Sequence, residues 1–221
     1  MCSDTSSLVV DNLCHMAGEQ NTDIAVSCFY VDFAARKEQS SAKILGSLLK
    51  QLVDGLDKIP DVISWMFQEH KKVIGGRGLR VVDIVKMLQT VASLRPTFIC
   101  IDALDECVEK HRPEILDSLR QILENAPNTR MFLTGRRHIR SEIDRHLGRR
   151  VIVISIKPNC DDIVGYVRMR LSKDTTLEMD GGLQDEIIKN ITENIPETYV
   201  IDKMERYFLW LLLTTKRLGF Y

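Results

Sequence analysis

The sequence predicts an α/β domain: a mostly parallel sheet with helices on its faces, followed by a small helical region. Three observations carry that prediction. Four short runs rich in apolar and β-branched residues are spaced along the first two thirds of the chain. Longer runs with helical spacing separate them. From about Cys160 onward only helical patterns remain. With 221 residues, 44% of them hydrophobic, the chain can bury a sizeable core.

The elements follow in order. "SSLVVDNLCHMAG" places Leu8, Val9, Leu13 and Met16 at helical spacing, with Gly18 as a stop. "DIAVSCFYVDF" (Asp23 to Phe33) is short and rich in β-branched and aromatic residues, so it reads as a strand. Ser40 or Ser41 can cap the amphipathic helix "AKILGSLLKQLVDGL". Pro60 opens the helix "PDVISWMFQEHKKV". "LRVVDIVKMLQTVASL" is a further helix, closed by Pro96. "TFICI" is a strand, "RPEILDSLRQILENA" a helix with Pro113 at its start, and "RMFLT" a strand. "RSEIDRHL" is a short helix and "RRVIVISI" (Arg149 to Ile156) a strand. "CDDIVGYVRMRLS", "LQDEIIKNITENI" and "DKMERYFLWLLLTTKRL" read as helices. The change of class near Pro158 divides the chain into an α/β domain over 1–157 and a helical region over 158–221.

Composition narrows the function. Thirty basic residues against 31 acidic ones argue against a dominant nucleic-acid or anionic-membrane surface. The six cysteines contain no C-x-x-C pair and several sit in apolar runs, which points to free thiols and a cytoplasmic, reducing compartment. The apolar run Tyr207 to Thr215 is far short of the roughly 20 residues a membrane span needs.

The chemistry concentrates in "TFICIDALDEC" (Thr97 to Cys107), where an apolar strand runs into Asp102, Asp105 and Glu106. Ligands of parallel α/β sheets bind beyond the carboxyl ends of the strands. A carboxylate there can hold a water on Mg²⁺, and a neighbouring one can orient or deprotonate an attacking water. Clustered carboxylates repel one another, so a bound cation is a physical reason to keep them together. An acidic solvated loop after a strand is the plainer alternative.

"ICIDALDEC" resembles the Walker B segment of NACHT-type STAND NTPases: an apolar strand, Asp, a small residue, an apolar residue, then Asp-Glu. "TRMFLTGRRH" resembles the next strand of that family, which ends in Thr-Ser-Arg-Pro. Thr134, Gly135 and Arg136 match it, with Gly in place of Ser and Arg137 in place of Pro. "CDDIVGYVRMRL" and "RYFLWLLLTTKRL" resemble two later helices of the family. The whole is most similar to fungal chains with a nephrocystin-3-like N-terminal domain, from about Ser6 to Arg217. The resemblance implies a P-loop NTPase-like sheet, ATP or GTP with Mg²⁺ as cofactors, and protein partners in a nucleotide-dependent signalling switch. It implies Asp102 as the metal ligand, Asp105 and Glu106 as the catalytic carboxylates, and Arg136 as the cofactor-binding arginine that senses the terminal phosphate.

One part of the pattern is missing. No GxxxxGK[ST] occurs in the sequence, and "GGRGLR" (Gly75 to Arg80) follows a helix and lacks the lysine, so it reads as a turn. "SSLVVDNLC" aligns with the helix that follows the phosphate loop. The resemblance therefore implies a truncated chain without the phosphate-loop strand, impaired in nucleotide binding and short of the family's winged-helix and repeat regions. Two readings stand: a fragment of a STAND-type NTPase, and a non-catalytic interaction module or pseudo-NTPase remnant of the same fold. Enzyme activity stays open between them. The missing strand lies between "RMFLT" and "RRVIVISI" in that family. Those two strands are expected either to pair directly or to stand about 9–10 Å apart, two strand spacings, around an empty slot.

Overall fold

Strands β1 (Ala25–Tyr30), β2 (Thr97–Asp102) and β3 (Thr129–Leu133) form a parallel ladder, with Ala25 opposite Thr97 and Thr97 opposite Thr129. The computed structural model describes residues 4–19, 23–72, 78–148, 151–155, 164–165, 168–169, 181–194 and 209–213. Within them the chain runs α1 (Asp4–Glu19), β1, α2 (Ser41–Asp54), α3 (Asp61–Lys72), α4 (Val81–Ala92), β2, α5 (Arg112–Asn125), β3, α6 (Arg140–Leu147), β4 (Val151–Ser155), α7 (Gly181–Asn194) and β5 (Leu209–Leu213). Short 3₁₀ turns at Leu104–Glu106 and Arg137–Ile139 follow β2 and β3. The predicted α/β class with a parallel sheet and flanking helices is the one observed.

The period of two along each strand decides which side chains meet which helices. Ile99, Ile101, Met131 and Leu133 face the main core, filled by Ile44, Leu45 and Leu48 of α2, Met87 and Leu88 of α4, and Leu116 and Leu119 of α5. Cys100 and Phe132 point to the opposite face and pack with Val10 of α1. The side chain of Ser40 caps α2 by accepting the Lys43 N–H, one of the two serines the sequence offered. Strand β1 is an edge, and its free side is blunted by Gln51. That amide accepts the Cys28 N–H at 2.9 Å and donates to the Cys28 carbonyl at 2.8 Å, imitating a neighbouring strand.

The sheet order is β1-β2-β3-β5-β4. The expectation for β3 and β4 is corrected on this point: they neither pair with each other nor flank a gap. Strand β5 lies between them, antiparallel to β3, with Leu213 opposite Met131. The helix predicted over Asp202–Leu218 is corrected with it, since its five described residues are strand. A continuous apolar run such as "LWLLL" carries no period that separates helix from strand, and a sheet position with unmet backbone groups on both sides favours strand.

By contacts the chain divides into two compact units, residues 1–154 with 208–221, and residues 155–207. In the second, α7 matches the helix predicted from "LQDEIIKNITENI". Of the helix predicted over Cys160–Ser172, residues 164, 165, 168 and 169 are described, and all four are helical. The core of the "GGRGLR" turn lies outside the described residues. Among the described residues no helix is long and apolar enough to cross a membrane.

Candidate functional site

Strands β2 and β3 are neighbours and parallel, so whatever follows them emerges at the same end of the sheet. Asp102 is the last residue of β2 and is 5% exposed. Thr134 is the first residue after β3. Its hydroxyl donates to Asp102 Oδ1 at 2.5 Å and accepts the Ala103 N–H at 2.8 Å. The Thr134 N–H donates to the Ile101 carbonyl, and its own carbonyl accepts the Leu104 N–H. One threonine thereby locks the two strand ends together.

Ala103 turns the chain sharply, at φ 55° and ψ 45°. It is a non-glycine residue in the left-handed region, a conformation that costs an L-residue about 1–2 kcal/mol. It bends the backbone so that Asp105 and Glu106 return over the strand ends.

Asp105 meets Arg136. Its Oδ1 accepts the Arg136 N–H at 3.1 Å, and its Oδ2 lies 3.4 Å from Arg136 Nε. The carboxylate is 5% exposed while the guanidinium is 49% exposed, so the arginine reaches outward from a buried anchor. Gly135 makes the approach possible: a Cβ there would stand 2.8 Å from Ile139 Cδ1 and 3.4 Å from Asp105 Oδ1. Glu106 turns the other way and accepts the Phe33 N–H at 3.2 Å through Oε2. The four sequence-derived residues therefore all gather at one end of the sheet, but Glu106 serves the loop after β1 while Asp105 serves Arg136.

Sequence reasoning missed Arg112. It is buried at the start of α5, where its Nε donates to Glu142 Oε2 of α6 at 2.6 Å. Its Nη1 donates to the carbonyls of Asp105 and Cys107 at 3.3 and 3.4 Å. The guanidinium thus holds the acidic turn from beneath. In sequence it is one arginine before a helix-opening proline, and nothing local marks it as buried. Beside it, burial pushes the Cys107 thiol up, with the Arg112 charge opposing.

These elements border an open cleft of about 500 Å³. It is lined by the acidic Asp105, Glu106 and Glu109 and the basic Arg36, Lys37 and Arg112, with Phe33 and His138 beside them. The Arg36 guanidinium lies 4.1 Å from the centre of the Phe33 ring, a cation–π stack at the mouth.

Among the described residues no three His, Cys, Asp or Glu side chains converge into a metal cage. Mg²⁺ does not require one: it keeps several waters and takes one or two carboxylates plus phosphate oxygens. A carboxylate has about four acceptor positions, and the Thr134 bond does not by itself exhaust Asp102. The donor set fits a cation shared with a phosphate and does not fit a structural metal.

Fold and site together define an α/β domain with a parallel sheet that carries carboxylates and an arginine at the ends of two adjacent strands. The chain matches the family described as Nephrocystin 3, N-terminal, over residues 3–136, and it belongs to that family. The matched region contains all three parallel strands and each of Asp102, Asp105, Glu106 and Arg136. No curated protein and no solved structure matches the chain.

Proposed function

We propose that the chain is the α/β core of a NACHT-type, STAND-like signalling NTPase, acting in the cytoplasm through protein partners. In this reading Asp102 holds Mg²⁺, Asp105 and Glu106 act on water, and Arg136 meets the terminal phosphate of ATP or GTP. The observation that carries it is the meeting of Asp105 and Arg136 at 3.4 Å beyond adjacent parallel strands, next to Asp102. The adjoining cleft supports it further, because it brings carboxylates and cations together, as a cation and a phosphate chain need. The sequence has no GxxxxGK[ST], and most of the grip on a nucleotide's phosphates comes from that loop. This chain is therefore expected to bind MgATP no tighter than about millimolar, a gain of roughly 4 kcal/mol.

Calorimetry on the purified chain tests the affinity, and a micromolar constant would contradict it. The site assignment is tested in a chimera carrying a strand–GxxxxGK[ST] segment ahead of Met1. Magnesium-dependent binding there should be lost in Asp102→Ala and weakened in Arg136→Ala. A chimera that binds MgATP equally well with both substitutions would remove these residues from the site.

A second reading rests on a different observation. Asp102, Asp105 and Glu106 each already hold a protein group: the Thr134 hydroxyl, Arg136 and the Phe33 N–H. That is the arrangement of a non-catalytic interaction module, in which the carboxylates order loops. A folded chimera without measurable nucleotide binding would favour it.

A further inference from the structure

The sheet face opposite the main core carries a feature that the carboxylate site does not use. Cys28 of β1 and Cys100 of β2 are direct register partners. Both belong to the small cluster in which Val9, Val10 and Leu13 of α1 pack with Phe132. Cys14 follows Leu13 and lies one helical turn beyond Val10, on the side of α1 that approaches the sheet. Helix α1 ends at Glu19 and β1 begins at Ala25, so the helix runs back against the direction of the strand it covers. Cys14 stands five residues from the helix end, about 7.5 Å at 1.5 Å per residue. Cys28 stands three residues into β1, about 10 Å at 3.3 Å per residue. Both Cys14 and Cys28 lie close enough to Cys100 to act on its thiol electrostatically. Their accessibility is graded: Cys14 is exposed, Cys28 half-buried and Cys100 buried, and none of the three is in a disulfide.

We propose that Cys14 and Cys28 are an oxidation site, a thiol pair that a peroxide converts to a disulfide pinning α1 to the edge strand. The exposed Cys14 thiolate attacks one oxygen of hydrogen peroxide, giving a sulfenic acid and hydroxide. The Cys28 sulfur then attacks the sulfenic sulfur, which forms the S–S bond and expels the oxygen as water. In sum two thiols and one H₂O₂ give one disulfide and two waters. Cys100 stays outside the exchange. Burial beside Cys28 and Cys14 pushes its thiol up to about 12, so it is a poor source of thiolate. In a reducing compartment such a pair is a transient sensor and not a structural staple.

The test is an unreduced peptide map of the native chain after peroxide treatment and alkylation, using a mixture of ¹⁴N- and ¹⁵N-labelled protein. The expected product is a Cys14–Cys28 peptide pair lighter by two hydrogens, with both halves carrying the same isotope. Cys100→Ser should leave it in place and Cys14→Ser should remove it. The proposal is overturned if Cys14 accumulates as sulfenic or sulfinic acid while Cys28 remains alkylatable. A Cys14–Cys100 link, or mixed-isotope pairs only, overturns it equally. The unsubstituted chain decides the matter, so the outcome does not depend on any variant folding.

Discussion

Thr134 Oγ1 donates to Asp102 Oδ1 at 2.5 Å while accepting the Ala103 N–H at 2.8 Å. A single hydroxyl thereby satisfies a buried carboxylate and the amide that follows it. Replacing it with an isosteric methyl leaves both groups buried with one partner fewer. Thr134→Val is expected to lose about 1–3 kcal/mol, the cost of a buried polar group left unpaired. Thr134→Ser keeps the hydroxyl and should lose less. Urea unfolding of the two variants checks this, and equal midpoints for Thr134→Val and the parent would show that the bond contributes nothing.

Ala103 gives a prediction of opposite sign. At φ 55° a glycine escapes the steric penalty, and its greater freedom in the unfolded chain offsets part of the gain. Ala103→Gly should therefore be neutral or stabilising by up to about 1 kcal/mol. Ala103→Val puts a branched side chain into the same turn and should destabilise by more than about 1–2 kcal/mol. Thermal melts of the pair check the ordering. A glycine variant less stable than the valine variant would mean that the turn is held by something other than backbone geometry.

Much of the frame was legible because strand and helix runs here differ in length and are punctuated by Pro60, Pro96 and Pro113. The acidic turn was legible through the resemblance of "ICIDALDEC" to a Walker B segment, since carboxylates after a strand are ordinary by themselves. Leu209–Leu213 was not legible, since an all-apolar run looks alike as buried helix or strand and only the vacancy beside Met131 distinguishes them. Arg112 was hidden for another reason. Its value lies in reaching Glu142, thirty residues away, and the carbonyl of Asp105, which no local pattern records. The division of labour between Asp105 and Glu106 was equally invisible, because it depends on where Phe33 and Arg136 fall in space.

The Arg112–Glu142 pair is close and shielded, with the two side chains 9% and 18% exposed. Removing one partner strands the other charge, which costs about 3–5 kcal/mol for buried pairs. Arg112→Met is expected near the lower end of that range, because Glu142 retains some solvent. Arg112→Met with Glu142→Leu removes both charges and should recover part of the loss. A double variant as unstable as the sum of its parents would assign the stabilisation to the Asp105 and Cys107 carbonyls instead of the ion pair.

Cys100 gives a pH dependence whose sign can be stated. Burial raises its thiol from the ordinary 9.0 to about 12 in the folded chain. Between those values the unfolded chain releases a proton that the folded chain keeps, so stability falls as pH rises. The contribution is fully present below about pH 9 and drains away toward pH 12. Cys107 shifts in the same direction and adds to the effect. Denaturant midpoints measured from pH 8 to 10.5 should decline, and less steeply in Cys100→Ala. An unchanged slope in that variant would show that other groups dominate the alkaline limb.

The last prediction concerns Gly135, where the resembling family carries serine. A Cβ at this position would lie 2.8 Å from Ile139 Cδ1, well inside contact distance, and against Asp105 on the other side. Ile139 is 1% exposed, so its terminal methyl has little room to retreat. Gly135→Ala is therefore expected to destabilise by about 1–3 kcal/mol, as overpacking does in a filled core. Ile139→Val removes the methyl that the new Cβ would strike, at a cost of about 0.5–1.5 kcal/mol by itself. If the clash is the cause, the two losses do not add. The double variant should be more stable than their sum by roughly 0.5–3 kcal/mol, the coupling seen between residues in contact. Strict additivity in urea would place the strain on the Asp105 side, and binding of the Arg136 N–H to Asp105 would then be what the missing Cβ protects.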